Sequence, residues 1–324
     1  HERNAPEMAL RVVVLFSVAA GARGQYPTVT AHGMGDSCFN RGMKQITSLV
    51  GETLGTYSVC IPTGDNRISD TKNGYFMTMD DNVDVFAAKV RADDELKDGF
   101  NCVGFSQGNM LCRGYIHKYN DPPVVNFLSV HGTVSGVAGF PNCDPSGLLG
   151  PVCDMIAKLC GDVAYAPATQ ELLFQADYFR DPYRVSSDAY KANSQLARWN
   201  NEADVYNQTY KDNFVQLQRL IMIKANEDTM VYPNEGEHWG HYADDSLSDI
   251  LSMRDTDWYK DDLFGLKTVD EAGKIIFNET DGNHLEFTDD QLVWWVKNYF
   301  VDTVAAEAVT VETSSSSEAT AQQL

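Results

Sequence analysis

The sequence predicts an α/β fold, a mainly parallel sheet with helices on both faces, and three observations carry that expectation. Strand-like runs recur at residues 28–31, 100–103, 124–130, 220–223 and 275–277, rich in β-branched and aromatic side chains. Helical periodicity fills gaps between them, as at Val83, Phe86, Ala87 and Val90. The stretch Gly104-Phe105-Ser106-Gln107-Gly108 then reads G-x-S-x-G, a sharp strand-to-helix turn with a serine at its apex.

Bulk composition narrows the possibilities. The chain has 324 residues, 43% of them apolar, enough for one large α/β domain with an insertion. A net charge of −21 excludes the basic stripe that nucleic acid needs and argues against electrostatic attachment to anionic lipid. Met8-Ala9-Leu10-Arg11, the apolar run at 12–20 and Ala20-Gly21-Ala22 read as a secretory signal peptide cut after Ala22. Its apolar core of about nine residues falls short of the ~20 a membrane span requires. Residues 1–22 are therefore expected to be leader and 23–302 the folded domain, with an insertion at about 141–214. The Ser-rich, low-complexity stretch 303–324 is expected to be a disordered tail, and no segment to cross a bilayer.

Taken in order, the first strand ends in the glycine loop His32-Gly33-Met34-Gly35-Asp36. The helix around residue 86 carries Asp80 and Asp81 at its start, where the helix dipole favours acids. From Gln107 to Tyr119 a second helix sets Met110, Leu111 and Tyr115 on one face and turns His117 toward solvent. Residues 124–130 suit a central buried strand. From Pro141 to about Phe214 the chain changes to proline, glycine and cysteine, then long amphipathic stretches around Leu172, Leu173, Ala176 and Phe179. That insertion is expected above the carboxyl ends of the strands, where such sheets bind ligands. In the last helix Thr288 and Gln291 form a capping box, and Leu292, Trp295, Val296 and Tyr299 make an apolar face.

A serine hydroxyl is a poor nucleophile at pH 7, so Ser106 requires a base, and the base an orienting acid. The order expected after such an elbow is Ser, acid, His. His284, in the loop after strand 275–277, is the candidate base. Asp228, in the loop after strand 220–223, is the candidate acid, with Glu227 and Asp281 as rivals. The backbone N–H groups of Gln107 and Met34 are candidates for the oxyanion hole. Candidate walls of an apolar groove are Met34, Phe140, Met230 and Val231, each equally suited to core packing.

Seven cysteines fit an exported protein, and the odd count leaves at least one unpaired. Cys143 and Cys153 bracket a Pro/Gly-rich loop and make the better pair, since Cys153 and Cys160 would lie ~10.5 Å apart along a continuous helix. Cys102 and Cys112 flank the elbow and read as small buried hydrophobes. His238 and His241 lack a third ligand at a metal-binding spacing and read as surface or structural residues, so neither metal nor cofactor is expected. Asn207 and Asn278 head glycosylation sequons.

Together these residues resemble the palmitoyl-protein thioesterase family of α/β-hydrolases. The likeness rests on His32-Gly33-Met34-Gly35-Asp36-Ser37-Cys38, Val103-Gly104-Phe105-Ser106-Gln107-Gly108, Gly139-Phe140-Pro141-Asn142-Cys143, Asn226-Glu227-Asp228-Thr229 and Asp281-Gly282-Asn283-His284. It implies an α/β-hydrolase fold with a helical lid, and Ser106, Asp228 and His284 as nucleophile, acid and base. It further implies oxyanion donors at Met34 and Gln107 and a Cys143–Cys153 disulfide in the lid. The implied activity removes long-chain fatty acyl groups from cysteine thioesters of S-acylated proteins or peptides, in a lysosomal or secreted setting. The chain departs from the family in carrying Cys38-Phe39 where two adjacent cysteines are expected, and Ala87 and Tyr119 where another disulfide would lie. A carboxylesterase or lipase would use the same residues on oxoesters, and a non-catalytic acyl-binding protein would keep the fold alone.

Overall fold

A computed structural model describes residues 25–139, 156, 158 and 163–301. Six parallel strands form one sheet in the order β2-β1-β3-β4-β5-β8: β1 (Thr28–Ala31), β2 (Ser58–Cys60), β3 (Phe100–Phe105), β4 (Val124–Val130), β5 (Arg219–Ala225) and β8 (Ile275–Thr280). A short antiparallel ribbon, β6 (His241–Tyr242) and β7 (Ile250–Leu251), lies outside it.

Alternation along the strands feeds two cores, because successive side chains leave opposite faces of a sheet. Phe100 and Cys102 of β3 with Leu220 and Met222 of β5 face one core, shared with α3 (Met79–Arg91) and α4 (Gly108–Lys118). Val103 and Phe105 with Ile221 and Ile223 face the other, covered by α1 (Arg41–Leu54) and the closing helix Asp289–Tyr299. Both faces are thereby buried, as a parallel sheet requires. The capping box lands where the sequence puts it: Gln291 N donates to Thr288 Oγ1, and Thr288 N donates to Gln291 Oε1.

Between β4 and β5 the described part of the insertion holds only short helices, such as Pro167–Gln170 and Phe174–Asp177. The expected long amphipathic stretches are broken: Leu173 and Ala176 are buried, while Leu172 is exposed. Gln170 explains the break, its Nε2 donating to the Ala164 and Ala176 carbonyls and fastening a loop where a helix would continue. The insertion packs over α4, where Trp199 fills the space a side chain at Gly114 would need.

Two expectations are corrected. Cys102 and Cys112 are joined in a disulfide, because α4 folds back along β3 and brings their Cα atoms to 6.0 Å. Cys38 and Cys60 form a second, tying the loop after β1 to the end of β2. His117 is fully buried, since Tyr210, Phe214 and Phe264, from segments far along the chain, close over its ring. Phe140, Cys143, Cys153, the leader and the tail lie outside the described residues. Among the described residues no helix is long and apolar enough to cross a membrane.

Candidate active site

Ser106 sits at the end of β3 with φ +53°, a left-handed conformation costing a non-glycine residue about 1–3 kcal/mol. Its neighbours make that turn possible. A Cβ at Gly104 would lie 2.5 Å from Asn109 Oδ1, and one at Gly108 2.2 Å from the Ala31 carbonyl oxygen. Both positions require glycine through close approach. The turn is clamped by Ser106 N donating to the Val130 carbonyl (3.0 Å) and Asn109 Nδ2 donating to the Ser106 carbonyl (2.9 Å).

The three chemical side chains meet. His284 Nε2 lies 2.8 Å from Ser106 Oγ, and His284 Nδ1 2.5 Å from Asp228 Oδ2. Asp228 Oδ1 accepts from the backbone N–H groups of Met230 (2.6 Å) and Val231 (2.8 Å). Burial pushes the Asp228 carboxyl up, but the bonds from His284, Glu237 and Val231 outweigh it and hold it well below the ordinary carboxylate range. An ionised Asp228 fixes the tautomer: Nδ1–H donates to the carboxylate, and the Nε2 lone pair faces the serine hydroxyl. The rivals stand apart, with Glu227 and Asp281 exposed to solvent.

The two loops that carry Asp228 and His284 are stitched together. Asn283 Oδ1 accepts from Thr229 N (3.0 Å), Thr229 Oγ1 (3.0 Å) and His284 N (2.6 Å). Glu227 N donates to the Gly282 carbonyl at 3.1 Å. Beneath them His131 Nδ1 accepts from Leu285 N (2.8 Å), so its proton is on Nε2 and donates to Thr280 Oγ1 (2.9 Å). Burial and then the neighbouring His284 lower His131 to about 4, keeping it neutral. Neither ring nitrogen of His131 is left to bind a metal, although one of its ligand atoms lies within 4.8 Å of one each from Asp228 and His284.

The Met34 loop approaches the serine closely, and a Cβ at Gly33 would lie 3.2 Å from Ser106 Cβ. Among the described residues no acceptor takes the backbone N–H of Met34 or of Gln107. The buried carboxylate of Asp70, on α2 (Arg67–Phe76), anchors this loop. It accepts from Ser37 Oγ (2.8 Å) and Cys38 N (2.9 Å), with His32 Nε2 at 3.3 Å. Burial raises Asp70, but His32 and these donors bring it down to about 2. Sequence reasoning missed this anchor, for Asp70 lies far from the loop in the chain. The Gln107 side chain joins the elbow to its surroundings, with Nε2 donating to the Gly74 carbonyl and Oε1 accepting from Gln175 and Tyr178 of the insertion.

Of the groove candidates, Met34 and Met230 are half-buried, and Val231 is buried in the core. His238 bridges the Met222 and Asn278 carbonyls and His241 faces Arg180, so both are structural. The sequon asparagines are half-buried; Asn207 caps a helix, and Asn278 Nδ2 donates to Tyr299 Oη.

A parallel sheet carrying an elbow serine against a histidine and an aspartate from later strand ends defines an α/β-hydrolase. The sequence model described as Palmitoyl protein thioesterase matches residues 27–284, and the chain belongs to that family of thioesterase hydrolases. It is 37% identical over 303 residues to Palmitoyl-protein thioesterase 1 of Caenorhabditis elegans, covering 92% of this chain and 100% of that protein. Palmitoyl-protein thioesterase 3 of Dictyostelium discoideum is 30% identical over 297 residues, 91% of this chain and 95% of its own. Lysosomal thioesterase PPT2 of Mus musculus is 29% identical over 269 residues, 82% and 83% of the two chains.

Proposed function

We propose that this enzyme hydrolyses long-chain acyl thioesters of protein cysteines through an acyl-enzyme on Ser106. The carrying observation is the unbroken chain of hydrogen bonds from Ser106 Oγ through His284 to Asp228. His284 Nε2 takes the hydroxyl proton as Oγ attacks the thioester carbonyl, and Asp228 steadies the imidazolium that forms. The oxyanion is received by the N–H groups of Met34 and Gln107. Collapse expels the cysteine thiolate, which takes the proton from His284. Water, activated by the same imidazole, then releases the fatty acid and restores Ser106.

The described part of the insertion, residues 163–214, acts as a lid, with Met34 and Met230 as groove walls. The tie from Gln107 to Gln175 and Tyr178 supports this by fastening the elbow to the insertion. Each buried methylene contributes ~0.8 kcal/mol, so kcat/KM climbs with acyl length until the groove is full. Two disulfides support a secretory route, ending in the lysosome or outside the cell.

The test is hydrolysis of matched thioesters and oxoesters of short, medium and long acyl length. Ser106→Ala loses several orders of magnitude in turnover and its fluorophosphonate labelling while staying folded. Asp228→Asn costs about 10⁴-fold, by analogy with other triads. Near-normal turnover in Ser106→Ala overturns the mechanism, and a flat length profile removes the long-chain substrate.

A further inference from the structure

Glu237 is a buried carboxyl that the proposed mechanism leaves unused. It lies on the single-turn 3₁₀ segment Asn234–His238, packed against β5, with no exposed surface. Its Oε2 accepts from Ala225 N at 2.7 Å. Its Oε1 is buried, and no described N–H or O–H group donates to it. A bare carboxylate oxygen in that position would cost several kcal/mol. Lys224 does not relieve it, because its Nζ is bound to Glu235 (3.1 Å) and to Glu279 (3.4 Å). The group it couples to is the Asp228 carboxyl: burial and then this neighbour push the Glu237 carboxyl up. Two carboxylates cannot share such a site with both ionised, and Asp228 already accepts from His284 and two backbone N–H groups.

We propose that Glu237 is a neutral carboxylic acid whose Oε1–H donates to the Asp228 carboxylate, a positioning residue that lengthens the chain to Ser106–His284–Asp228–Glu237. The assignment satisfies both ends of Glu237 at once: one oxygen accepts from Ala225, and the other donates to Asp228. Burial, with the Asp228 hydrogen bond and charge behind it, pushes the Glu237 carboxyl well above the ordinary range. Four donors then surround Asp228, so its plane is fixed relative to the imidazole, and the arrangement of the base no longer depends on His284 alone. The proposal rests on the roles given above to Ser106, His284 and Asp228.

Glu237→Gln and Glu237→Leu separate this role from mere packing. The amide keeps one acceptor for Ala225 N and one donor for Asp228, whereas leucine keeps only the volume. In Glu237→Leu, kcat is expected to fall roughly tenfold to a hundredfold at little changed KM, the range known for losing the support behind a metal-bound histidine. Glu237→Gln restores most of that loss. Infrared spectra at neutral pH provide a readout independent of turnover: the carboxylic-acid C=O band of Glu237 is present in the wild type and in Ser106→Ala, and absent in Glu237→Gln. Equal kcat values in the Gln and Leu variants, or no band that disappears with Glu237, overturn the proposal. An active Ser106→Ala enzyme defeats the underlying mechanism instead, while an inactive one beside a wild-type-like Glu237→Leu defeats only the role of Glu237.

Discussion

His284 and His117 are both histidines with two engaged ring nitrogens, yet their surroundings give them opposite chemistry. At His284, Nδ1 faces a carboxylate and Nε2 a hydroxyl, so a proton arriving at Nε2 finds an anion already in place. At His117, Nε2 accepts from Arg113 Nε (3.2 Å) and Nδ1–H donates to the Tyr210 carbonyl (3.3 Å). Its ring stacks on Phe214 with centroids 5.3 Å apart. Burial, then the Arg113 charge, lower the His117 pKa far below the ordinary value. Arg113 itself, brought by burial to about 9, stays charged at neutral pH. What its nitrogens face is what suits a histidine to the proposed role of base; burial and hydrogen bonding alone make it a strut.

The largest expected effect exposes that contrast directly. His284→Ala removes the proposed base and should match the loss in Ser106→Ala, because in that mechanism the two act as a unit. His117→Phe should leave kcat near the wild-type value, since no reacting atom touches that ring. Steady-state kinetics on one thioester decides the matter, and a comparable loss in both variants breaks the comparison.

A smaller effect falls on stability and its pH dependence. His117→Phe strands the Arg113 Nε–H and the Tyr210 carbonyl, at a cost of about 1–3 kcal/mol by urea unfolding. The sign of the pH term follows from the lowered pKa. Below pH 6.5 the unfolded chain binds a proton that buried His117 refuses, so its contribution is present above pH 6.5 and is lost as the pH falls. His131, at about 4, and His241, at about 3, act in the same direction. Buried Glu237 and Asp177, both raised, act in the opposite direction, destabilising as pH rises. All four remain in the variant, so the difference between the two proteins isolates His117. The stability of His117→Phe should therefore fall less steeply between pH 7 and 5, by at most about 1.4 kcal/mol per pH unit. Parallel curves would mean that His117 titrates normally.

The same pair of histidines marks what the sequence discloses. The strands were legible because β4 is a run rich in Val, Phe and Leu, and the elbow because Gly104 and Gly108 each meet backbone too closely for a side chain. Asp228 and His284 were legible by chain order and by their places after β5 and β8. His117 was not, because the surface of α4 that looks solvent-facing in isolation is roofed by Tyr210, Phe214 and Phe264. Cys102 and Cys112 escaped for a similar reason, their pairing resting on the return path of α4 along β3. Glu237 offered one signal, an acid between glycine and histidine neighbours shortly after Asp228, but its meaning depends on a turn that carries it back against β5.

His131 stands between the two cases and gives the finest test. It is neutral and structural like His117, yet its Nδ1 holds the Leu285 N–H, next to His284. That bond requires the proton to stay on Nε2, and Thr280 Oγ1 is the acceptor that keeps it there. Thr280→Val keeps the shape but removes the acceptor. The ring then either leaves a buried N–H unpaired or flips its proton to Nδ1, where it opposes the Leu285 N–H. Either outcome loosens the loop that aims His284, so kcat should fall a few-fold and stability by about 1 kcal/mol. Thr280→Ser supplies the hydroxyl again and should recover both. The comparison belongs in unglycosylated protein, because Thr280 also completes the sequon at Asn278. A valine variant as fast and as stable as the wild type would mean that the His131 tautomer has no hold on His284.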